Sequence, residues 1–264
     1  SRAIHGGENT KKIHISASQR LRKNKIFTLT RDGSEYSAHP QKAEILRDFF
    51  VSLIGTPGPT TWSFDLKSIS PLPVPGLHAL DAPFSVDEIK HAFFSMNPQA
   101  SPDPDGFGPT FYRSFWPLVK HLILPFFSHF HQGTADTERL NRAHIALIPK
   151  KDAPTSPDAF RPISLQNCPI KVVAKVITSR LKPFIPMLVH GNQTGFISGR
   201  NIAENFVFAA DLISSCHSRK KPTMVINLDF RKAFDSVAWP ALQIFLAVRG
   251  FSSTFRRWIQ NILL

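Results

Sequence analysis

The sequence is poor in acid, in cysteine and in long apolar runs. Its 264 residues hold 19 Asp and Glu against 32 Lys and Arg, a formal net charge of +13. An excess of one sign on this scale implies an anionic partner. Nucleic acid is the simplest, although a ribosomal-type or membrane-surface protein carries the same balance. The two cysteines, Cys168 and Cys216, make neither a disulfide framework nor a metal-ligand spacing, so a reducing compartment is the default. No apolar run is long enough to span a bilayer, no secretory signal pattern opens the chain, and no internal repeat is present. The chain does not begin with Met, and Ile262–Leu264 continue a helical pattern; it reads as cut at both ends.

What is present suffices for a sizeable core. The composition is 42% hydrophobic with 23 Phe, which fits one large domain or a domain with an extension. Residues 1–54 form a basic N-terminal segment. From Ser1 to Arg31, Arg2, Lys11, Lys12, Arg20, Arg22, Lys23, Lys25 and Arg31 face one acid, Glu8, as in a phosphate-contacting arm or a solvated tail. Asp32-Gly33 is a turn signal, and Pro40–Leu53 has helical spacing. Residues 55–84 are a connector dense in proline, a linker or an extended wrap around a body. The compact domain is expected over 85–264.

Within that domain, Ser85 and Glu88 fit a capping box, opening a helix to about Met96 with Val86, Ile89, Ala92 and Phe93 on one face. Pro109–Gln132 reads as a helix that Gly133 can end, its aromatic stripe as core rather than a base-stacking platform. Ala143–Pro149 and the return Phe160–Leu165 read as strands around a basic turn. Lys150, Lys151 and Arg161 thereby come near one another, as a clamp for a triphosphate or as an ordinary basic surface hairpin. Pro169–Val189 is helical by spacing, Gly191–Asn201 is a polar Gly-rich loop, and Ile202–Ser215 is helical again. Pro240 and Gly250 bracket a further helix, and Ser253 can cap a last one.

The stretch Met224–Asp235 (MVINLDFRKAFD) is where chemistry is expected. Met224, Val225, Ile226 and Leu228 read as a buried strand with Asp229 at its C-terminal end. A carboxylate buried unpaired costs several kcal/mol, so Asp229 should meet a metal, a cation or a cluster of donors. The plainer alternative is a strand end followed by a salt-bridged turn. Helices with few strands make an α+β architecture.

Six segments agree in order with one family: Ser101–Phe107, Ile145–Lys151, Phe160–Asn167, Lys171–Leu181, Gln193–Asn201 and Leu228–Val237. With Gly7–His14 and Arg20–Asn24 preceding them, the chain resembles the reverse transcriptase of non-LTR retrotransposons, of the long interspersed element type abundant in plants. The resemblance implies a right-hand polymerase, here its fingers and the start of its palm. The implied partners are RNA template, DNA primer and deoxynucleoside triphosphates, with no membrane; the implied location is nuclear, with cytoplasmic the alternative.

By that resemblance Asp229 is the first metal-binding aspartate, with the Phe230 carbonyl a second ligand to Mg²⁺, two ions serving the complete reaction. Phe234 is the aromatic gate that rejects a 2′-hydroxyl. Lys150 or Lys151 and Arg161 hold the triphosphate. Gln193, Gly195 and Arg200 touch template or nucleotide, and Asp235 is structural. Asp103 stands where the family usually has Gly, and Ile170 where it has an aromatic. The family's paired-aspartate motif does not occur in these residues, and one carboxylate cannot hold two Mg²⁺ ions. The fragment is therefore expected to be inactive alone, with an exposed apolar palm face. A non-catalytic RNA- or DNA-binding module is the alternative, and a Mg²⁺-dependent nuclease is disfavoured because the acids are scattered.

Overall fold

A computed structural model of the chain describes residues 24–54, 65, 73–98, 104–230, 233 and 237–263. The expectations for 1–23, most of the connector, and Phe234 and Asp235 lie outside the described residues. Two small antiparallel hairpins sit among helices: β1 (Leu29–Arg31) with β2 (Ser34–Tyr36), and β3 (His144–Pro149) with β4 (Phe160–Leu165). The helices are α1 (His39–Leu53), α2 (Val86–Phe94), α3 (Pro109–Ser114), α4 (Trp116–Gln132), α5 (Glu138–Asn141), α6 (Cys168–Leu181), α7 (Ile185–Leu188), α8 (Ile202–Ser218), α9 (Trp239–Val248) and α10 (Ser253–Leu263). The helix-rich α+β architecture is the one expected.

The first hairpin follows from its turn. Asp32 and Gly33 both take positive φ, 52° and 77°, the geometry that matches strand twist in a two-residue loop. Leu29 is then buried against Ile45 of α1 and Phe160 of β4. Lys42 fastens α1 to the chain before β1, donating to the carbonyls of Ile26 at 2.8 Å and Phe27 at 3.0 Å. This small core joins the N-terminal segment to the second hairpin. A largely apolar cavity of about 660 Å³ between α1 and β3 borders it, lined by Leu46, Phe50, Val51, Ile54, Ile145 and Leu147, with Arg47 the one charged residue on its wall.

The main core is helical. α2, α4, α6 and α10 bury Ile89, Phe93, Phe127, Phe130, Val172, Val173, Val176 and Trp258 against one another. Each such side chain contributes about 1.5–3 kcal/mol by leaving water. The Trp258 indole N–H is satisfied by the His131 carbonyl at 3.1 Å. The end of the proline-rich connector belongs to this core: Val74, Leu77 and Leu80 are buried in it, the last two on a 3-10 turn, Leu77–Asp81.

Several local readings shift. The capping box forms as expected, Ser85 accepting from the Glu88 N–H and Glu88 from the Ser85 N–H, but Val86 is exposed. The aromatic stretch is two helices broken at Phe115, because Pro117 starts a new first turn where its missing N–H costs nothing. Gly133 ends α4 at φ 79°, and a Cβ there would lie 2.6 Å from the Arg257 side chain. Pro169–Val189 likewise breaks: α6 stops at Leu181, and Lys182-Pro183 leads a 3-10 turn into α7. The cap of α10 is Ser252, whose Oγ accepts from the Phe255 N–H at 3.0 Å, rather than Ser253.

One ion pair ties these pieces together. Arg180 of α6 makes two 2.8 Å bonds to the Glu88 carboxylate. It also donates to the carbonyls of Leu80, Ala82 and Pro83 and lies 4.6 Å from the centre of the Phe84 ring. Arg180 is nearly buried and Glu88 about a third exposed. The Arg180 hydrogen bonds, opposed by desolvation and aided by the Ser85 N–H, lower the Glu88 pKa from 4.5 to about 2. A carboxyl lowered on folding lends stability that is present above its unfolded value and lost as pH falls through the folded one. Glu88→Gln should therefore cost about 1–2 kcal/mol at neutral pH, allowing for solvent screening of the partly exposed pair. It should also flatten the decline in thermal stability between pH 4.5 and about 2. An acid limb identical to that of the parent chain, followed by circular dichroism melts, would contradict this.

Candidate functional site

The second hairpin sets the cations. Its register pairs Ile148 with Arg161 and Pro149 with Phe160. Because side chains alternate across a strand, Phe160 turns into the small core and Arg161 turns the other way, onto the face of Ile148. Arg161, Ile148 and Ile163 are all exposed there. Lys150 leaves the end of β3; its main-chain N–H donates to the Ala159 carbonyl and its ammonium to the Asp158 carbonyl at 2.8 Å. That contact closes the loop end and fixes the ammonium beside the start of β4. Lys151 points elsewhere. It lines a cleft of about 240 Å³ with Lys25, Phe27, Thr28, Asp152 and Thr155, where the Thr30 N–H donates to the Thr155 carbonyl and ties β1 to the loop. The hairpin thus keeps Lys150 and Arg161 at one end of a sheet and gives Lys151 to the junction with the N-terminal segment.

The loop Gly191–Asn201 is held by its last cation. The Arg200 guanidinium donates to the carbonyls of His190 and Gln193, each at 2.6 Å, and of Val189 at 3.3 Å. Asn205 of α8 donates to the Asn192 carbonyl at 2.7 Å and to the Thr194 hydroxyl at 3.0 Å, and Thr194 is buried. Gln193 stays exposed, and Gly195 lies beside it. Phe196, which the sequence reading passed over, has φ 64° and a side chain 94% exposed. An aromatic between two glycines of a polar loop was the available signal.

The segment expected to carry the metal departs most from expectation. Residues 221–230 have no regular structure, and Met224, Val225, Ile226, Leu228 and Phe230 are exposed, Met224 by 82% and Phe230 by 77%. The buried strand Met224–Leu228 does not form. A strand needs a neighbour to take its N–H and C=O groups, and among the described residues no strand pairs with it. Asp229 consequently stands exposed instead of buried at a strand end. Among the described residues no group of three or more His, Cys, Asp or Glu could hold a metal. Asp229 and one carbonyl do not fill the six positions Mg²⁺ demands, so these residues do not on their own fit a magnesium centre. Exposed apolar side chains also occur on α8. α8 buries none of its residues, and Ile202, Phe206, Val207, Phe208 and Leu212 are exposed.

Comparison with known proteins gives this arrangement a context. Residues 148–263 match the family described as reverse transcriptase (RNA-dependent DNA polymerase). Every candidate residue falls inside that match. The chain is 31% identical over 186 residues, 69% of its length, to a protein described as the uncharacterized 149 kDa protein of transposon TX1 from Xenopus laevis. It is 28% identical over 155 residues, 59% of its length, to the Pol polyprotein of a type-1 R2 retrotransposable element from Nasonia vitripennis. Over 233 residues, 87% of its length, it is 23% identical to the R2DM Pol polyprotein of Drosophila melanogaster. It spans 14%, 14% and 21% of these relatives respectively. Among the described residues no helix is long and apolar enough to cross a membrane.

The Arg200 contacts predict a local effect. Arg200→Ala should free the Gly191–Asn201 loop and raise its rate of limited proteolysis about tenfold, the loss of charge-assisted bonds to carbonyls costing about 1.5–3 kcal/mol. Mass spectrometry of the fragments locates the cut. A loop as resistant as in the parent chain would show that the guanidinium does not hold it.

Proposed function

We propose that this chain, whose residues 148–263 carry a reverse-transcriptase sequence, is the fingers and opening palm segment of a non-LTR retrotransposon polymerase that copies RNA into DNA. The supporting observation is the β3–β4 register, which sets Arg161 and Lys150 at one end of a short sheet. A guanidinium fork and an ammonium so placed suit a triphosphate, and they stand in the same matched region as Asp229. The plant kinship rests on the sequence motifs; the relatives named above come from frog, wasp and fly.

In this reading Lys150 and Arg161 grip the phosphates of a deoxynucleoside triphosphate. Lys151, in its cleft beside Phe27, serves the N-terminal segment or the same phosphates. Gln193 and Gly195 face template or nucleotide. Asp229 and the Phe230 carbonyl would be two of the oxygen ligands of a Mg²⁺ pair, which activates the primer hydroxyl and neutralises the leaving pyrophosphate when bound. The described residues do not complete that centre. Phe234 would screen the sugar, and Asp235 would brace the turn. RNA template and DNA primer are the proposed partners, and the nucleus the proposed place of action.

A second reading is favoured by the exposed Asp229 segment: a basic module that binds RNA or DNA without catalysis. Arg161→Ala separates the two. The polymerase reading expects deoxynucleoside triphosphate binding, measured by equilibrium dialysis, to weaken about 10- to 100-fold on losing a bidentate charged contact, with RNA affinity changed by less than about twofold. No triphosphate binding by the parent chain, with salt-dependent RNA binding retained, would establish the module instead. Primer extension with Mg²⁺ should give no processive product from residues 1–264, and such a product would overturn the inactivity of the fragment.

A further inference from the structure

The β3–β4 hairpin has a second face, opposite Arg161, and a cavity lies against it. Leu46 and Phe50 of α1 and its cap residue Ile54 follow one another a turn apart, so they share a side of the helix. Ile145 and Leu147 alternate onto one face of β3. The space between them is about 660 Å³, within the range that takes a small molecule. Phe50 is buried, whereas Val51 and Ile145 on the wall are 68% and 50% exposed. Apolar side chains left open in a concavity mark a ligand groove. No acid lines it, and its one cation is Arg47. Arg47 donates to Asp48 at 3.4 Å, and Asp48 also accepts from Arg31 at 3.3 Å. Both pairs are exposed and such pairs hold weakly, so a ligand carboxylate can compete for the Arg47 guanidinium.

We propose that this cavity binds an apolar monoanion, an aliphatic carboxylate of about ten carbons. Its tail lies among Phe50, Val51, Ile145 and Leu147, and its head meets Arg47. The chemistry of the wall selects this ligand over three others. A phosphodiester strand needs repeated cations, and here it would lay its charges against Val51 and Ile145, where desolvation is costly. A neutral apolar molecule would leave Arg47 unused. A second copy of the chain would bring its own net charge of +13 against the first, and like charges of that size oppose association. Arg161 turns to the other side of the hairpin, so this site is separate from the one proposed for a triphosphate, and neither depends on the other.

The test is isothermal titration calorimetry with decanoate and, as its neutral counterpart, 1-decanol, both as monomers in solution. The parent chain should bind decanoate about fivefold more tightly than decanol, the upper end for an exposed ion pair. Arg47→Ala should remove that preference and leave decanol binding unchanged. Octanoate should bind about tenfold more weakly than decanoate, as two fewer buried methylenes predict. Val51→Asp, which sets a carboxylate on the wall, and Val51→Trp, which fills the space, should each weaken decanoate at least about tenfold. Circular dichroism melts should match those of the parent chain, because Val51 is exposed. Phe206→Asp, on the exposed apolar helix α8, should bind like the parent chain. Loss of binding in Phe206→Asp with none in the Val51 variants would move the tail to α8 and overturn the cavity site. Decanol bound as tightly as decanoate by the parent chain would overturn the anion, and no decanoate binding at all would overturn the proposal. Self-association that Val51→Asp abolishes, without decanoate binding, would make the cavity a contact between copies instead. Displacement of decanoate by a deoxynucleoside triphosphate would overturn the separateness of the two sites. Failure of triphosphate binding alone would leave this site standing.

Discussion

A β-strand is satisfied only by its neighbour, and that constraint divides this molecule. β3 and β4 have each other, and their pairing fixes which side chains turn inward with Phe160 and which outward with Arg161. Met224–Asp229 has no such neighbour among the described residues and is left open to solvent with its apolar side chains. The hairpin that carries Lys150 and Arg161 is therefore formed, and the segment that carries Asp229 is not a strand among the described residues. Exposed apolar surface of this kind is an association hazard, and α8 exposes more of it.

The helical body does not share this weakness because its closure is internal. Arg180 brings together the start of α2, the end of α6 and the last turn of the connector, using its whole donor fork. Few side chains but arginine can do this, since lysine has no planar fork and one point of charge. The aromatic core of Phe84, Phe127, Phe130 and Trp258 packs directly beside that hub. The β3–β4 hairpin is reached from this body through Asn167, whose side chain donates to the Leu140 carbonyl, and through the start of α6.

Much of this was legible locally. The capping box at Ser85, the stop at Gly133, the turn at Asp32-Gly33 and both strands of the β3–β4 hairpin are short-range signals, and all form. Pro117 and Pro183 also carried their message, although hydrophobic periodicity ran across them and suggested single helices. Two things were not legible. Arg180 reads as one more basic residue on a helix, because its acid, Glu88, is 92 positions away. Met224–Leu228 reads as a buried strand because apolar, β-branched composition reports fitness for a sheet and is silent on whether a partner strand is present. Asp229 inherited the error: its expected burial depended on a strand that does not close.

In the described residues a paired hairpin that carries Lys150 and Arg161 stands beside an unpaired segment that carries Asp229 in sequence only. Amide hydrogen exchange resolved along the sequence tests that division most directly. Residues 224–229 should exchange near the rate of an unstructured peptide while the central amides of α6 and of the β3–β4 ladder exchange at least about a thousandfold more slowly, as buried hydrogen-bonded cores do. Protection at 224–229 equal to that of α6 would mean that the strand is paired after all, and would contradict the exposure of Asp229.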